Sequence, residues 1–367
     1  MQRLQRRLII GVIVIVGLYI AFLIVADSQS QMGTDGIGAA LASFNWHFLP
    51  LLIGLQSLLI ALRFLGWQYY LGVLGARHKI SILDSFVIYA SCFTMVISPA
   101  KLAEVLKSVL LKAKTDTPIA RSMPVVFAER IIDGLAVLIL MVVMLWLGGE
   151  SLQLGTYQGV DYLAITQGIV YSAAALIGLG LVVVQIRPLA LLALAIIVRL
   201  PLIKRLHDPL ATLYESSREI FHPRHLLPTL LIGLGVYLSS ALCFYAIFLG
   251  FGFDPSLTLL LQATFITGVS AAVGAISLVP NGAGVTETSN TLLLMAMIAP
   301  DHPMMTLGLA AALALLQGFF HKWYRVLVGL AVALTFRHRL LSRQEVAHIL
   351  AEAQTENLRA TRVAPQG

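Results

Sequence analysis

Two groups of charged residues lie within an otherwise apolar part of the sequence, between Ser98 and Asp133. Their members are Lys101, Glu104, Lys107, Glu129, Arg130 and Asp133. Residues three or four apart share one face of a helix, so each group can present its charges together. Charges inside a membrane are costly and usually mark a substrate pathway. The pattern predicts a polar cavity in which cations and acids hold a phosphate, with a self-neutralising patch near the membrane surface as the alternative.

A second set of candidate substrate-binding residues lies towards the C-terminal end. Its members are Asn281, Glu287, Asn290, His321, Lys322 and Arg325. The first three lie in or after a glycine-rich turn, where free amides at a helix start attract anions. An ordinary loop turn explains the same residues without a ligand. The three basic residues lie in an apolar stretch and need an acidic partner, for which we expect Glu287.

Arg63 completes the set of candidate substrate-binding residues. It lies among leucines in a predicted helix over His47–Val73, about 15 Å from the helix end at about 1.5 Å per residue. That distance makes it hard for the guanidinium to reach water along the membrane, so we expect a cavity or a buried ion pair. Trp67, Tyr69 and Tyr70, nearer the helix end, are typical of an interfacial aromatic belt.

The composition excludes an ordinary soluble globular protein. The chain has 367 residues, of which 58% are hydrophobic and 12% charged, whereas soluble domains are about 45–50% apolar and about 25% charged. Many windows reach the roughly 20 apolar residues that a membrane helix needs. Cys92 and Cys243 lie in apolar runs and are expected to be buried thiols. No catalytic, phosphate-loop or metal-ligand motif is present, so no enzyme activity, cofactor or metal site is expected.

The placement of basic residues predicts the orientation in the membrane. The net charge is +7, yet segments 27–46, 148–162, 251–255 and 299–303 contain acids and no lysine or arginine. Because basic residues are retained on the cytoplasmic side, these four segments are expected outside and both termini in the cytoplasm. The basic residues are therefore expected to contact anionic lipids rather than nucleic acid.

The apolar segments predict an all-α, polytopic bundle of transmembrane helices. The expected crossings are Leu8–Ala26, His47–Val73, Pro124–Leu147, Tyr162–Ile186, Leu226–Gly250 and Pro303–Phe336. Residues 83–98 are too short for a comfortable crossing, and a crossing there would place Lys101, Lys107 and Arg121 outside. We therefore expect a re-entrant hairpin that turns near Ser98. Residues 256–298 form a second hairpin, which is either re-entrant or fully spanning.

The order of elements predicts two halves with opposite orientation. Residues 47–147 contain an inward helix, a hairpin and an outward helix, and residues 226–336 contain the same order in the opposite sense. This arrangement is typical of an inverted-topology repeat. An amphipathic linker over about 187–225 is expected to join the halves. The transmembrane domain is expected to cover 8–341, followed by a cytoplasmic tail over 342–367.

Five motifs resemble a known family. They are LRFLGW at 62–67, SPAKLAEVLKSVLL at 98–111, AERIIDG at 128–134, VPNGAGVTE at 279–287 and KWYRVLVG at 322–329. In order and spacing they resemble the flippase-like transmembrane region of lysylphosphatidylglycerol synthases, over about 8–340. The resemblance implies a region that moves aminoacylated phospholipid between leaflets while a separate soluble domain makes it. That soluble domain is absent here, so synthase activity is not expected. Ala103 replaces the glycine that usually precedes the glutamate of the first hairpin.

The expected function is the binding and translocation of an anionic phospholipid or lipid-linked head group in the bacterial cytoplasmic (inner) membrane. Two alternatives remain. An intramembrane transferase could use Glu104 or Glu129 as a base, and a non-catalytic scaffold could hold a separately encoded lipid-modifying enzyme. The sequence names neither the lipid nor the direction of transport.

Overall fold

The computed structural model describes residues 36–97, 102–148, 217–277 and 279–340, with isolated positions between 156 and 179. The described part is an all-α bundle, as predicted. A two-residue antiparallel pair, Thr156–Tyr157 with Val160–Asp161, is the only strand pairing in these ranges. The predicted crossings Leu8–Ala26 and Tyr162–Ile186, and nearly all of the linker, lie outside the described residues.

The first half contains two long helices and a helical hairpin between them. Its helices are α1 (Ile37–Ala42), α2 (Leu49–Val73), α3 (Ile82–Ser91), α4 (Leu102–Thr115) and α5 (Ile119–Gly148). A 3-10 segment, Cys92–Ile97, extends α3. The hydroxyl of Ser81 accepts the Asp84 amide and begins α3, a standard N-cap. We call α3, Cys92–Ile97 and α4 the first hairpin.

The second half repeats this order of elements and breaks its last helix. Its helices are α6 (Pro223–Gly250), α7 (Leu257–Ile276), α8 (Val285–Met297), α9 (Leu307–Gly318), α10 (Tyr324–Thr335) and α11 (Arg337–Leu340). A 3-10 turn, Pro280–Gly282, lies between α7 and α8, which together form the second hairpin. A π-helical segment, Phe319–Trp323, joins α9 to α10.

Three described helices are long and apolar enough to cross a membrane. They cover Trp46–Val73, Pro223–Gly250 and Leu257–Ile276. The first two correspond to predicted crossings, the second beginning three residues earlier than expected. α5 is 30 residues long and contains the predicted crossing Pro124–Leu147, although it carries four charges in its first half. The last predicted crossing begins at Leu307 rather than Pro303.

The two helices of the first hairpin are antiparallel neighbours. Lys114, at the end of α4, is close enough to Asp84, at the start of α3, to interact with it electrostatically. Leu110 of α4 packs with Ile88 and Cys92 of α3 and the following segment. Both outer ends of the hairpin therefore lie together, which is the geometry expected for an element that enters and leaves on one side. Its tip, Cys92–Ile97, contacts the Pro280–Gly282 turn of the second hairpin.

The packing of the two hairpins follows a matching pattern. In the first hairpin α3 packs on α10 and α4 on α5, while in the second α7 packs on α5 and α8 on α9. α2 and α6 pack on each other between them, with Gly66 against Ile232 and Gly235 against Leu62. Small residues at such contacts let membrane helices approach closely. Each hairpin therefore packs one helix against the other half and one against its own half, as expected for a two-fold repeat. The inverted repeat itself stays a prediction.

Candidate functional site

An ion-pair network joins α2 to α5 inside the bundle. The Nη1 atom of Arg63 lies 3.1 Å from both carboxylate oxygens of Asp133. Arg130, one turn before Asp133 on α5, pairs with the same carboxylate at 3.1 Å. The side chains of Arg63 and Asp133 are only 10% and 11% exposed, so their charges face each other away from solvent. Arg63 therefore makes the buried ion pair that its position predicted.

A second ion pair ties the first hairpin to α5. The Nζ atom of Lys107 on α4 donates to the Oε2 atom of Glu129 at 2.7 Å. The same ammonium lies 4.6 Å from the ring centre of Tyr89 and 5.7 Å from that of Trp67. Aromatic faces attract cations, so both rings add to the carboxylate in holding Lys107. The predicted proximity of the hairpin helix to the charged patch on α5 is confirmed for this pair.

Arg325 brings a cation from the second half into the same region. Its Nε atom donates to the carbonyl of His321 at 2.7 Å, and it lies near enough to Arg63 and Asp133 to interact with both electrostatically. Arg325 takes part in none of the salt bridges between described residues. We call these side chains the arginine cluster: Arg63, Lys107, Glu129, Arg130, Asp133 and Arg325.

The arginine cluster has more cations than acids. Among the described side chains, four basic groups meet two carboxylates in this cluster, a formal balance of +2. The Nε atom of Arg63 and the Oε1 atom of Glu129 are buried without a hydrogen-bond partner among the described residues. Such atoms are rare in folded proteins and call for a water or a ligand. The cluster is therefore electrostatically suited to an anion.

A small cavity lies beside the arginine cluster. Its volume is about 30 Å³, and its polar lining comprises Arg63, Tyr70, Tyr89, Glu129, Asp133 and Thr229. A space of this size holds about one water molecule. A lipid head group would need the surrounding helices to move apart before it could enter.

The second cluster is the lysine pair, which consists of Glu287 and Lys322. The Nζ atom of Lys322 lies 2.8 and 3.0 Å from the two carboxylate oxygens of Glu287. It also donates to the carbonyl of Gly282 at 3.3 Å and to the hydroxyl of Thr286. Glu287 is 1% exposed and Lys322 5%. The predicted pairing of Glu287 with the basic residues is thus made by Lys322.

The turn before α8 is shaped around Glu287. Asn281, Gly282 and Gly284 have φ values of 57°, 62° and 79°, a left-handed conformation that glycine and asparagine tolerate. The Oε2 atom of Glu287 accepts the Gly284 amide at 2.9 Å and so caps the start of α8. That amide was a candidate donor for an anionic ligand, and here it is bonded to a carboxylate of the chain itself. Asn281 lies within this turn.

The remaining residues of the second predicted set have separate partners. The Nδ2 atom of Asn290 donates to Gln317 at 3.1 Å, away from Glu287. His321 shares a hydrogen bond of 2.8 Å with the hydroxyl of Ser240 on α6. The three basic residues His321, Lys322 and Arg325 therefore face three different groups. Lys101 lies outside the described residues, as does the side chain of Glu104, whose backbone belongs to α4.

Aromatic residues complete the site, and the sequence analysis did not predict them there. Trp67 was expected at the membrane interface, but it is 1% exposed and its Nε1 atom donates to Ser85 at 3.1 Å. Tyr70 is also buried and lies beside Thr229 of α6, whereas Tyr69, near the helix end, shares a hydrogen bond with His225. The interfacial assignment of Trp67 and Tyr70 was wrong, because α3 covers Trp67 and α6 lies against Tyr70. Cys92 and Cys243 are buried free thiols, as expected.

The family of the protein follows from its sequence profile and agrees with this architecture. The chain matches the family model described as lysylphosphatidylglycerol synthase TM region over residues 8–329. It belongs to this family. No curated protein and no solved structure matched the chain. Family membership and the apolar helices identify a multi-pass membrane protein that is linked to the handling of lipid head groups.

Proposed function

We propose that the protein binds an anionic phospholipid or lipid-linked head group at the arginine cluster and moves it between the leaflets of the bacterial inner membrane. The observation that supports this most is the cationic excess, contributed by helices of both halves. Arg63 comes from α2, Arg130 from α5 and Arg325 from α10. Guanidinium groups pair with phosphate through geometrically matched hydrogen bonds.

Movement of the hairpins would give the lipid access to the cluster. The cavity of about 30 Å³ is too small for a head group, so the closed arrangement must open. The Lys107–Glu129 ion pair holds α4 against α5 and is expected to separate when the first hairpin moves. With both termini in the cytoplasm, as proposed from the charge distribution, this hairpin opens towards the cytoplasm. Rocking of two halves around a central site is the general mode of repeat-built transporters.

We further propose that the protein itself is not an enzyme. Glu129, one of the two candidate bases, is already occupied by the Lys107 ammonium, which donates to it at 2.7 Å. Lipid handled at the arginine cluster would then leave with its head group unchanged. A separately encoded lipid-modifying enzyme remains a candidate partner.

Leaflet exchange in reconstituted vesicles tests the proposal. Purified protein is inserted into vesicles that contain a fluorescent lipid, and dithionite bleaching reports the fraction that reaches the outer leaflet over time. We expect faster exchange than in protein-free vesicles for lipids with a net negative head group. Equal rates with and without protein, across native lipid extracts, would remove the transport proposal. A change of head-group mass in the same vesicles would instead favour the transferase.

A further inference from the structure

A groove separate from the arginine cluster runs along α2 to the start of α3. It has a volume of about 350 Å³ and is lined by Ala61, Leu62, Phe64, Leu65, Gln68, Arg77 and Ile82. This volume falls within the roughly 300–1,000 Å³ of small-molecule sites. Leu65 and Ile82 are 53% and 66% exposed, so the groove is open to the surroundings of the bundle. Since α2 is a candidate membrane span, those surroundings are lipid.

The groove is apolar along its length and basic at one end. Gln68 and Arg77 are its only polar lining residues, and Gln68 is engaged with the hydroxyl of Ser85 at 2.6 Å. The Cδ atom of Arg77 lies 4.0 Å from the place where a Cβ would stand on Gly72, so its stem follows the last turn of α2. Arg77 is exposed and opens the basic 3-10 segment Arg77–Lys79, just beyond the span. An apolar stem with an exposed charge is typical of a side chain at the membrane surface.

Aromatic rings separate the groove from the arginine cluster. Phe64 of the groove wall packs edge-on against Phe86 at 5.2 Å and lies 5.8 Å from Tyr89, measured between ring centres. Tyr89 in turn covers the ammonium of Lys107. The groove therefore lies on the lipid side of these rings, and it has a separate cation, Arg77, and a separate apolar surface.

We propose that this groove binds one acyl chain of an anionic glycerophospholipid, with the lipid phosphate at Arg77. The apolar walls match a hydrocarbon chain, and the exposed guanidinium at the end matches a phosphate at the membrane surface. A basic side chain near the surface strengthens the binding of an anionic lipid about fivefold. This site does not depend on the proposed translocation, because it lies on the outside of the bundle and uses none of the residues of the arginine cluster.

Photolabelling tests the occupant of the groove. The full-length protein is reconstituted in phosphatidylcholine vesicles containing a trace of phosphatidylglycerol with a diazirine in one acyl chain. After irradiation, mass spectrometry maps the labelled peptides. We expect labelling at residues 61–68 to exceed labelling around Leu231, which is 61% exposed on the lipid-facing side of α6. Equal labelling of both regions would overturn the proposal, since it would indicate only the general lipid contact of any membrane helix.

Two pairs of variants test separately how the Arg77 charge and the groove volume contribute to labelling. Arg77→Ala is expected to lower groove labelling by phosphatidylglycerol about fivefold and to leave labelling by a diazirine phosphatidylcholine unchanged. Arg337→Ala, which removes an exposed basic residue elsewhere, is the matched control. Ala61→Trp fills the groove and should reduce labelling by both lipids, whereas Leu238→Trp at an exposed position of α6 should not. If Arg77→Ala has no more effect than Arg337→Ala, no phosphate is held there and the proposal fails.

The outcome is distinguishable from failure of the transport proposal. Loss of leaflet exchange with groove labelling intact removes only translocation. Intact exchange with unselective labelling removes only the groove site. Because Ala61, Arg77, Leu238 and Arg337 are all exposed, their replacement is expected to leave the fold intact, and unfolding in detergent checks this for each variant.

Discussion

The arginine cluster and the lysine pair differ in how completely their charges are matched. In the lysine pair, one carboxylate meets one ammonium. The carboxylate also accepts the Gly284 amide, and the ammonium also donates to the Thr286 hydroxyl and the Gly282 carbonyl. The arginine cluster has four cations for two carboxylates and leaves buried polar atoms without a partner among the described residues. The first arrangement is saturated, whereas the second can accept a further anion.

This difference indicates separate roles for two regions that look alike in the sequence. A saturated buried ion pair fixes the position of the elements that carry it, here the second hairpin and the π-helical segment Phe319–Trp323. A cluster with excess charge gains from a ligand instead. Both lie in apolar surroundings where each charge is costly, so the imbalance at the arginine cluster needs a functional reason.

Breaking the lysine pair should have the largest effect on stability. Lys322→Met leaves the Glu287 carboxylate buried without its cation, which typically costs about 3–5 kcal/mol of folding stability. Unfolding in detergent, followed by circular dichroism, measures this loss. The double variant Lys322→Met/Glu287→Met removes both charges and should recover most of it. If the double variant is no more stable than the single one, the stability loss does not come from an unpaired Glu287 carboxylate.

The equivalent substitution in the arginine cluster should be milder. Lys107→Met removes the partner of Glu129, but that carboxylate keeps Arg130 at 3.9 Å, so we expect a loss of about 1–3 kcal/mol. The same unfolding assay compares it with Lys322→Met. A loss as large as that of Lys322→Met would mean that the two clusters are equally dependent on complete pairing, against the contrast drawn above.

Removing the excess cation should affect transport more than stability. Arg325→Gln takes away a charge that forms no salt bridge with a described residue, so stability should change by about 1 kcal/mol or less. A lost charge-assisted bond to a lipid phosphate should slow leaflet exchange about tenfold or more. Arg337→Gln, which removes an exposed basic residue beyond the end of α10, is the control and should leave exchange unchanged. Undiminished exchange in Arg325→Gln would exclude Arg325 from the site.

Breaking an exposed ion pair should have the smallest effect on folding stability. Asp84 at the start of α3 pairs with Arg339 at 3.2 Å, and Arg339→Ala should cost about 0–1 kcal/mol. The hydrogen bond from Ser81, followed by Arg339, holds the pKa of Asp84 below its usual value. The contribution is therefore present above the ordinary carboxyl pKa and is lost as the pH falls through the lowered one. Unfolding measured at neutral and acid pH should show the difference between variant and parent disappearing in acid.

Helix positions and some contacts could be predicted from the sequence, because they depend on hydrophobic periodicity and on the cost of unpaired charge. The bounds of α2 and the Glu287–Lys322 contact follow from these rules. The position of Arg325 in the arginine cluster does not follow from these rules. A regular helix places His321 and Arg325 on one face, yet His321 meets Ser240 and Arg325 faces the arginine cluster. Burial of Trp67 depended on how α3 crosses α2, which no local pattern indicates.

Because of the π-helical segment Phe319–Trp323, the orientation of α10 depends on the number of residues before it more than on their types. Such a segment corresponds to one extra residue in an α-helix, and each residue turns the helix by about 100°. Deleting Phe319 would restore a regular helix and rotate everything after it by that angle. Gly329 would then leave its close contact with the Ala90 carbonyl, and Arg325 would turn away from Asp133. A single-codon deletion there should therefore be less tolerated than most substitutions in the same segment.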